Sequence, residues 1–213
     1  MENYHKLMDK ELEGEGTREK RLLLHACCAP CSSHCLTYLK GKINITVFYY
    51  NPNIVEDDEF NKRASELERL VNILNEEYPE AKISFSEGPH DKEKFLEAAK
   101  GLESVPEGGA RCEKCFRLRL TEAAREAKRI GADYFTTTLT ISPLKNAELI
   151  NRIGEEISKE EGIKWLPSDF KKKEGYKDSV ELSKKYGLYR QNYCGCPYSK
   201  RDSLGFKGKR VSL

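Results

Sequence analysis

Leu22-Leu23-Leu24-His25-Ala26-Cys27-Cys28-Ala29-Pro30-Cys31 reads as strand, tight loop and helix start within ten residues. The apolar run ends at two adjacent cysteines, and Pro30 with a third cysteine opens a helix. In an α/β sheet, ligands bind in the crevice beyond the carboxyl ends of the strands. This loop offers thiols where a phosphate-binding loop would offer glycines.

Outward from that stretch, strand and helix signals alternate. Ile43 to Tyr50 is β-branched and aromatic and stops at Asn51-Pro52-Asn53. Phe60, Leu67, Leu70, Val71 and Leu74 recur at helical spacing, Lys82 to Phe85 is a short strand, and Asp91 to Leu102 is amphipathic. A loop with Pro106, Gly108 and Gly109 delivers Cys112, and a helix is predicted from Cys115 to Ile130. Asp133 to Leu139 is a strand followed by the loop Thr140-Ile141-Ser142-Pro143. Asn146 to Glu161 is helical, Ile163 to Leu166 a last strand, and Tyr176 to Tyr186 a last helix. Strands alternating with such helices imply βαβ units, hence one α/β domain over residues 21–213 with a parallel sheet of about five strands. Residues 1–20 read as an N-terminal extension with some helical character and no clear apolar face. A chain of 213 residues can bury one sizeable core.

No run of 18 apolar residues exists, and residues 1–20 lack the apolar segment of a secretory signal. The expectation is a cytoplasmic protein with no membrane partner. Charge is unevenly spread. From Lys164 to Leu213 there are thirteen Lys/Arg against five Asp/Glu, and with a net +2 overall the rest carries −6. Lys171-Lys172-Lys173, Lys184-Lys185, Lys200-Arg201, Lys207, Lys209 and Arg210 are interleaved with Tyr176, Tyr186, Tyr189, Tyr193 and Tyr198. Cations for phosphates and aromatics for unpaired bases favour RNA as the partner.

The eight cysteines fall in clusters: Cys27-Cys28 with Cys31 and Cys35, Cys112-x-x-Cys115, and Cys194-Gly195-Cys196. Clustering of this kind points to metal binding or thiol redox chemistry rather than structural disulfides. Cys27, Cys28, Cys112 and Cys115 make four thiolates from two segments, a set that suits tetrahedral zinc or an iron–sulfur cluster alike. Cys31, at the helix start, is a ligand or a neighbour of the metal, and Cys35 reads as core. His25 reads as a satisfied core histidine close to the site, and His34 as solvent-facing. Cys194 and Cys196 either close a small, readily reduced ring or bind metal.

Taken together, LLLHACCAPCS (22–32), FYYNPNI (48–54), RCEKCFRLRL (111–120), TTLTISPLKN (137–146) and FKKKEGYKDSVELSKKYGLYRQNYCGCPYS (170–199) resemble the QueH family of epoxyqueuosine reductases. The resemblance runs from about Arg21 to Phe206. It implies reduction of the epoxide of epoxyqueuosine, in the anticodon loop of tRNA, to queuosine without cobalamin. It also implies a [4Fe–4S] cluster held by Cys27, Cys28, Cys112 and Cys115, with an additional iron ion beside it. Cys194 and Cys196 are implied to be a redox-active catalytic pair, served by an external electron donor. The implied fold is a single-domain, three-layer, Rossmann-like parallel sheet of the nucleotide-hydrolase type, with the cysteine-rich metal site at the strand carboxyl ends. Because Cys-Cys-Ala-Pro-Cys replaces a Gly-rich loop, no ATP use is expected. Lys145 and Asn146 are candidates to touch substrate, and Tyr193 or Asp91 to donate a proton. No oligomeric state is signalled. The rival readings are a zinc-stapled tRNA-binding module or another iron–sulfur tRNA-modifying enzyme.

Overall fold

The central strand, β1 (Arg21–His25), is buried at every residue after Arg21, as a strand covered on both faces must be. In chain order the elements are α1 (Tyr4–Leu12), β1, α2 (Ala29–Leu39), β2 (Asn44–Tyr49), α3 (Asp57–Glu77), β3 (Ser84–Glu87), α4 (Lys92–Ala99), α5 (Ala110–Arg129), β4 (Tyr134–Thr137), α6 (Ala147–Glu161), β5 (Lys164–Trp165), α7 (Gly175–Lys185) and α8 (Pro197–Gly205). The computed structural model describes residues 2–205, so Lys207, Lys209 and Arg210 of the basic tail lie outside the described residues. The sheet runs β3-β2-β1-β4-β5 and every pairing is parallel. Leu24 of β1 lies beside Val47 of β2 and Thr136 of β4.

Alternation along the strands assigns the layers. Leu22 and Leu24 pack with Leu36 and Leu39 of α2 and Leu67, Leu70 and Leu74 of α3. Leu23 packs on the other side with Leu120 and Ala124 of α5 and Ile150, Ile153 and Ile157 of α6. Each such leucine contributes roughly 1.5–3 kcal/mol by leaving water. The result is a three-layer α/β domain, as the alternation of strands and helices predicts. Gly154 of α6 lets the layer close over β5: a Cβ there would sit 2.3 Å from Cδ2 of Trp165.

Several details differ from the sequence reading. α1 buries Met8 and Leu12 in the first layer, a stripe too short to stand out among its charges. α5 begins at Ala110, not Cys115, so Cys112 and Cys115 both lie within its first two turns. The loop after β4 is partly a 3-10 turn, Thr138–Ile141, and α8 follows Cys196 directly. The chain order of the strands changes direction between β1 and β4, and a crevice opens beyond their carboxyl ends. Among the described residues no helix is long and apolar enough to cross a membrane.

Much of the basic tail is spent on the acidic body. Lys173 pairs with Asp9 at 3.1 Å, Lys185 with Glu77 at 2.6 Å and Lys200 with Glu56 at 2.6 Å. Tyr189 donates its hydroxyl to Glu59 at 3.0 Å.

Candidate thiol-rich active site

Cys28 is the extended residue that caps α2, with φ −174° and ψ 162°, and Pro30 sits in the helix's first turn. The Cys28 carbonyl accepts from the Ser32 hydroxyl at 2.8 Å, which fixes the turn and leaves the sulfur free. One helical turn then carries Cys31 back over the strand end. The Sγ atoms of Cys27, Cys28 and Cys31 lie within 4.8 Å of one another, and Cys27 and Cys28 are 3.7 Å apart. Two thiolates on one tetrahedral ion, with bonds of about 2.3 Å, are about 3.8 Å apart, so this spacing suits a single metal ion.

Electrostatics in the trio are asymmetric. Hydrogen bonds from Cys28 and Cys31, with the cations Arg119 and Lys145, pull the Cys27 thiol well below its usual range against the cost of burial. By donating to Cys27, Cys28 is pushed up to about 12, and Cys31 also rises. One thiolate is therefore shared by two thiols, at a helix N-terminus that favours negative charge.

The other thiols gather on a second wall. Cys112 and Cys115 of α5 line a cavity of about 80 Å³ together with Cys194 and Cys196. Burial raises Cys112, and it raises Cys115 to about 12. Gly108 N–H donates to Cys112 Sγ at 3.3 Å, and Ser199 N–H to Cys196 Sγ at 3.3 Å. Gly195 has φ +121°, and a Cβ there would lie 2.7 Å from Cγ1 of Ile54, so the turn between the two cysteines needs glycine. All eight cysteines are free thiols. A second cavity, about 220 Å³, is lined by Cys27, Cys31 and Cys194. The two cavities share Glu107, Leu144, Lys145 and Cys194.

Three buried arginines, which sequence reading passed over, surround these walls. Arg119 is fully buried, donates Nη2 to Asn51 Oδ1, and leaves Nε and Nη1 without partners. It faces Cys115, Cys194 and Cys27. Arg63 bonds Glu59 at 2.7 Å and the Cys194 carbonyl at 3.2 Å, with Nη2 unpartnered. Arg111 bonds the carbonyls of Leu102, Glu103 and Val105 and leaves Nε and Nη2 unpartnered. Arg111 and Arg119 have no carboxylate partner among the described residues, and an anionic metal–thiolate group would supply the charge they lack. The donor set and the orphaned cations thus fit a metal or cluster bound by these cysteines. The one sequence signal was the spacing of Cys115 and Arg119, one helical turn apart.

Lys145 lines both cavities, as its substrate-contact assignment requires. Burial opposes its charge, but Cys194, Cys27 and Cys31 outweigh that and hold its ammonium above the usual range. Asn146 lines the smaller cavity and Tyr193 the larger. Asn53 places an amide with no hydrogen-bond partner at either end against the smaller cavity. Asp91 does not join them: it lies between Tyr50 and Lys94, at 3.1 and 2.6 Å, and lines neither cavity.

His25 is a satisfied core residue. Nε2 donates to the Tyr50 carbonyl at 3.1 Å, so Nδ1 accepts from the Thr137 hydroxyl at 2.8 Å. Burial, then Arg119, lowers it to about 3. Cys35 is fully buried in the core. His34 is not solvent-facing. α7 covers it, and its Nδ1 meets Asp178 Oδ2 at 2.6 Å.

Residues 22–202 match the family model described as epoxyqueuosine reductase QueH. The epoxyqueuosine reductase QueH of Staphylococcus epidermidis is 41% identical over 211 residues, spanning 96% of this chain and 88% of that protein. Its namesake in Streptococcus pyogenes is 42% identical over 202 residues, 93% and 78% of the two chains. That of Thermotoga maritima is 37% identical over 180 residues, 84% and 89%.

Proposed function

Because the chain belongs to the QueH family of epoxyqueuosine reductases, we propose that it reduces the epoxide of epoxyqueuosine in the tRNA anticodon loop to queuosine, without cobalamin. It is an oxidoreductase. The reaction breaks both carbon–oxygen bonds of the epoxide, forms a carbon–carbon double bond and releases the oxygen as water, consuming two electrons and two protons. Oxidation of the Cys194–Cys196 dithiol to a disulfide releases two electrons and two protons, enough for one epoxide. An external one-electron donor, acting twice with uptake of two protons, restores the reductant after each turnover.

Cys27, Cys28, Cys112 and Cys115 are assigned to a [4Fe–4S] cluster. The additional iron ion would lie beside it, with Cys31, whose sulfur is within 4.8 Å of both Cys27 and Cys28, as a candidate ligand. When bound, these groups would pass electrons singly and offer a Lewis acid to the departing oxygen. Lys145, facing both cavities, would stabilise negative charge developing on that oxygen. The loop Asn51-Pro52-Asn53 and the stretch 140–143 wall the pocket against water.

The observation that carries the reading is the meeting of two thiol-lined cavities at Cys194 and Lys145. Anaerobic reconstitution with iron and sulfide, followed by incubation with epoxyqueuosine-tRNA and a low-potential reductant, tests it. The released nucleoside is expected to lose the mass of one oxygen. Colourless protein that holds only zinc and returns the nucleoside unchanged overturns it.

A further inference from the structure

The larger cavity has a wall that the redox chemistry leaves unused. Tyr176 of α7 is 40% exposed there, and Leu144, 76% exposed, stands at the rim. Two of the three exposed large apolar side chains among the described residues therefore meet at one opening. Arg190 lies against Tyr176: Nη2 donates to its hydroxyl at 3.2 Å, and the guanidinium carbon is 5.7 Å from the ring centroid. Among the described residues no carboxylate pairs with Arg190. Gln191, next in the chain, buries its side-chain oxygen in the same wall with no hydrogen-bond partner. Tyr193 follows, and the floor is formed by Cys27, Cys31 and Cys194.

A flat aromatic face, a planar cation with no carboxylate partner and an amide with an unsatisfied oxygen make a site for a planar polar ring. Unpaired bases of RNA are held by stacking on aromatic and guanidinium planes, with hydrogen bonds to the base edge. An amide presents a donor and an acceptor together and complements a purine edge. A guanine-type edge, with its carbonyl oxygen and N–H groups, meets both. A buried acceptor left unmatched costs about 1–3 kcal/mol, so a ligand that satisfies Gln191 is favoured over water-free vacancy.

We propose that Tyr176, Arg190 and Gln191 form the subsite that holds the base of the reacting nucleoside, swung out of the anticodon loop. Its substituent is thereby directed at the thiols on the floor. The assignment rests on the reading that the substrate is a modified guanine-type nucleoside in tRNA. It also explains the order Arg190-Gln191-Asn192-Tyr193-Cys194: the residues that grip the base run directly into a thiol, so base position and thiol position are set by one segment.

The test is anaerobic binding of an anticodon stem-loop carrying guanine, or an abasic sugar, at the wobble position, alongside kinetics on epoxyqueuosine-tRNA. Wild-type protein is expected to bind the guanine loop about tenfold tighter than the abasic loop. Tyr176→Ala and Gln191→Leu are expected to erase most of that preference and to lower kcat/KM about tenfold through KM. Tyr176→Phe keeps the stacking face and is expected to keep the preference. Variants that retain the tenfold preference, or a wild type that has none, overturn the subsite. A wild type with the preference that leaves the modified nucleoside unreduced supports the subsite and overturns the reductase reading.

Discussion

The two groups of thiols are built in opposite ways. Cys27, Cys28 and Cys31 are brought together by one strand end and one helical turn, so their closeness follows from local chain geometry. Cys112 and Cys115 meet Cys194 and Cys196 only because the segment after α7 docks back onto the body. That docking uses Arg63 on the Cys194 carbonyl, the Tyr189 N–H on Glu66 at 2.7 Å, and Gly195 against Ile54. The chemistry differs too. The first group shares a thiolate through its own hydrogen bonds, whereas burial keeps Cys112 and Cys115 protonated. A local group is ready for a cation before anything binds. A docked group becomes competent only when charge arrives to displace its protons.

The widest break in this contrast is Cys27→Ser, which removes the thiolate the other two donate to. It is expected to abolish both ion binding by the trio and turnover, read by cobalt–thiolate absorption and by nucleoside mass. Gly195→Ala strikes only the docked group, because φ +121° and the Ile54 contact both exclude a side chain. Turnover is expected to fall about a hundredfold, as a misplacement of about 1 Å would cause, while cobalt binding by the trio is unchanged. Loss of cobalt binding in this variant would show the two groups to be one unit.

Arg119→Met tests the cation between the groups. Removing it leaves the Asn51 oxygen without its donor and the Cys27 thiolate without a cation, and is expected to destabilise the metal-free protein by about 1–3 kcal/mol in denaturant unfolding. The same change is expected to weaken metal binding about 10–100-fold. Losses in both measurements mark Arg119 as a partner of the thiols with or without metal, and an unchanged metal affinity overturns that role. Proton release is a finer probe: metal binding requires three thiolates of the trio, and only Cys27 is pulled down. Zinc titration near pH 7.5 is expected to release about two protons per ion, falling as pH rises toward the lifted pKa values. The smallest effect belongs to Glu77→Gln. It removes the exposed Lys185 contact at the edge of the docked segment, and thermal unfolding at physiological salt is expected to stay within error.

The alternation of strands and helices was legible because β1 and β2 are short, largely apolar and bounded by turn residues, and both cover layers leave their periodicity in the helices; β3, with one apolar side chain, lies two residues later than predicted. Helix starts were less so: nothing local in residues 108–115 says that α5 begins at Ala110, and that start decides which way Cys112 points. Cys31 was ambiguous for the same reason. Arg63, Arg111 and Arg119 were invisible because an arginine in a helix reads as a solvated face until other segments close over it. His34 was misread because α7 arrives from far along the chain. The charge imbalance of the tail was real in sequence, but several of its cations face acids of the same molecule rather than an outside partner.

The hydrogen-bonded trio at the end of β1 also sets how this protein is damaged. A thiolate opening onto a solvent-connected cavity is the form that peroxide attacks, and Cys27 is that thiolate. Its sulfenic acid would have Cys31 within reach as a resolving thiol, one turn away and free of the ring strain that hinders Cys28. The metal-free thiolate is therefore open to oxidation, and a bound ion shields the sulfur it occupies. Peroxide treatment before metal loading is expected to join Cys27 to Cys31 by a disulfide, which a thiol reductant reverses.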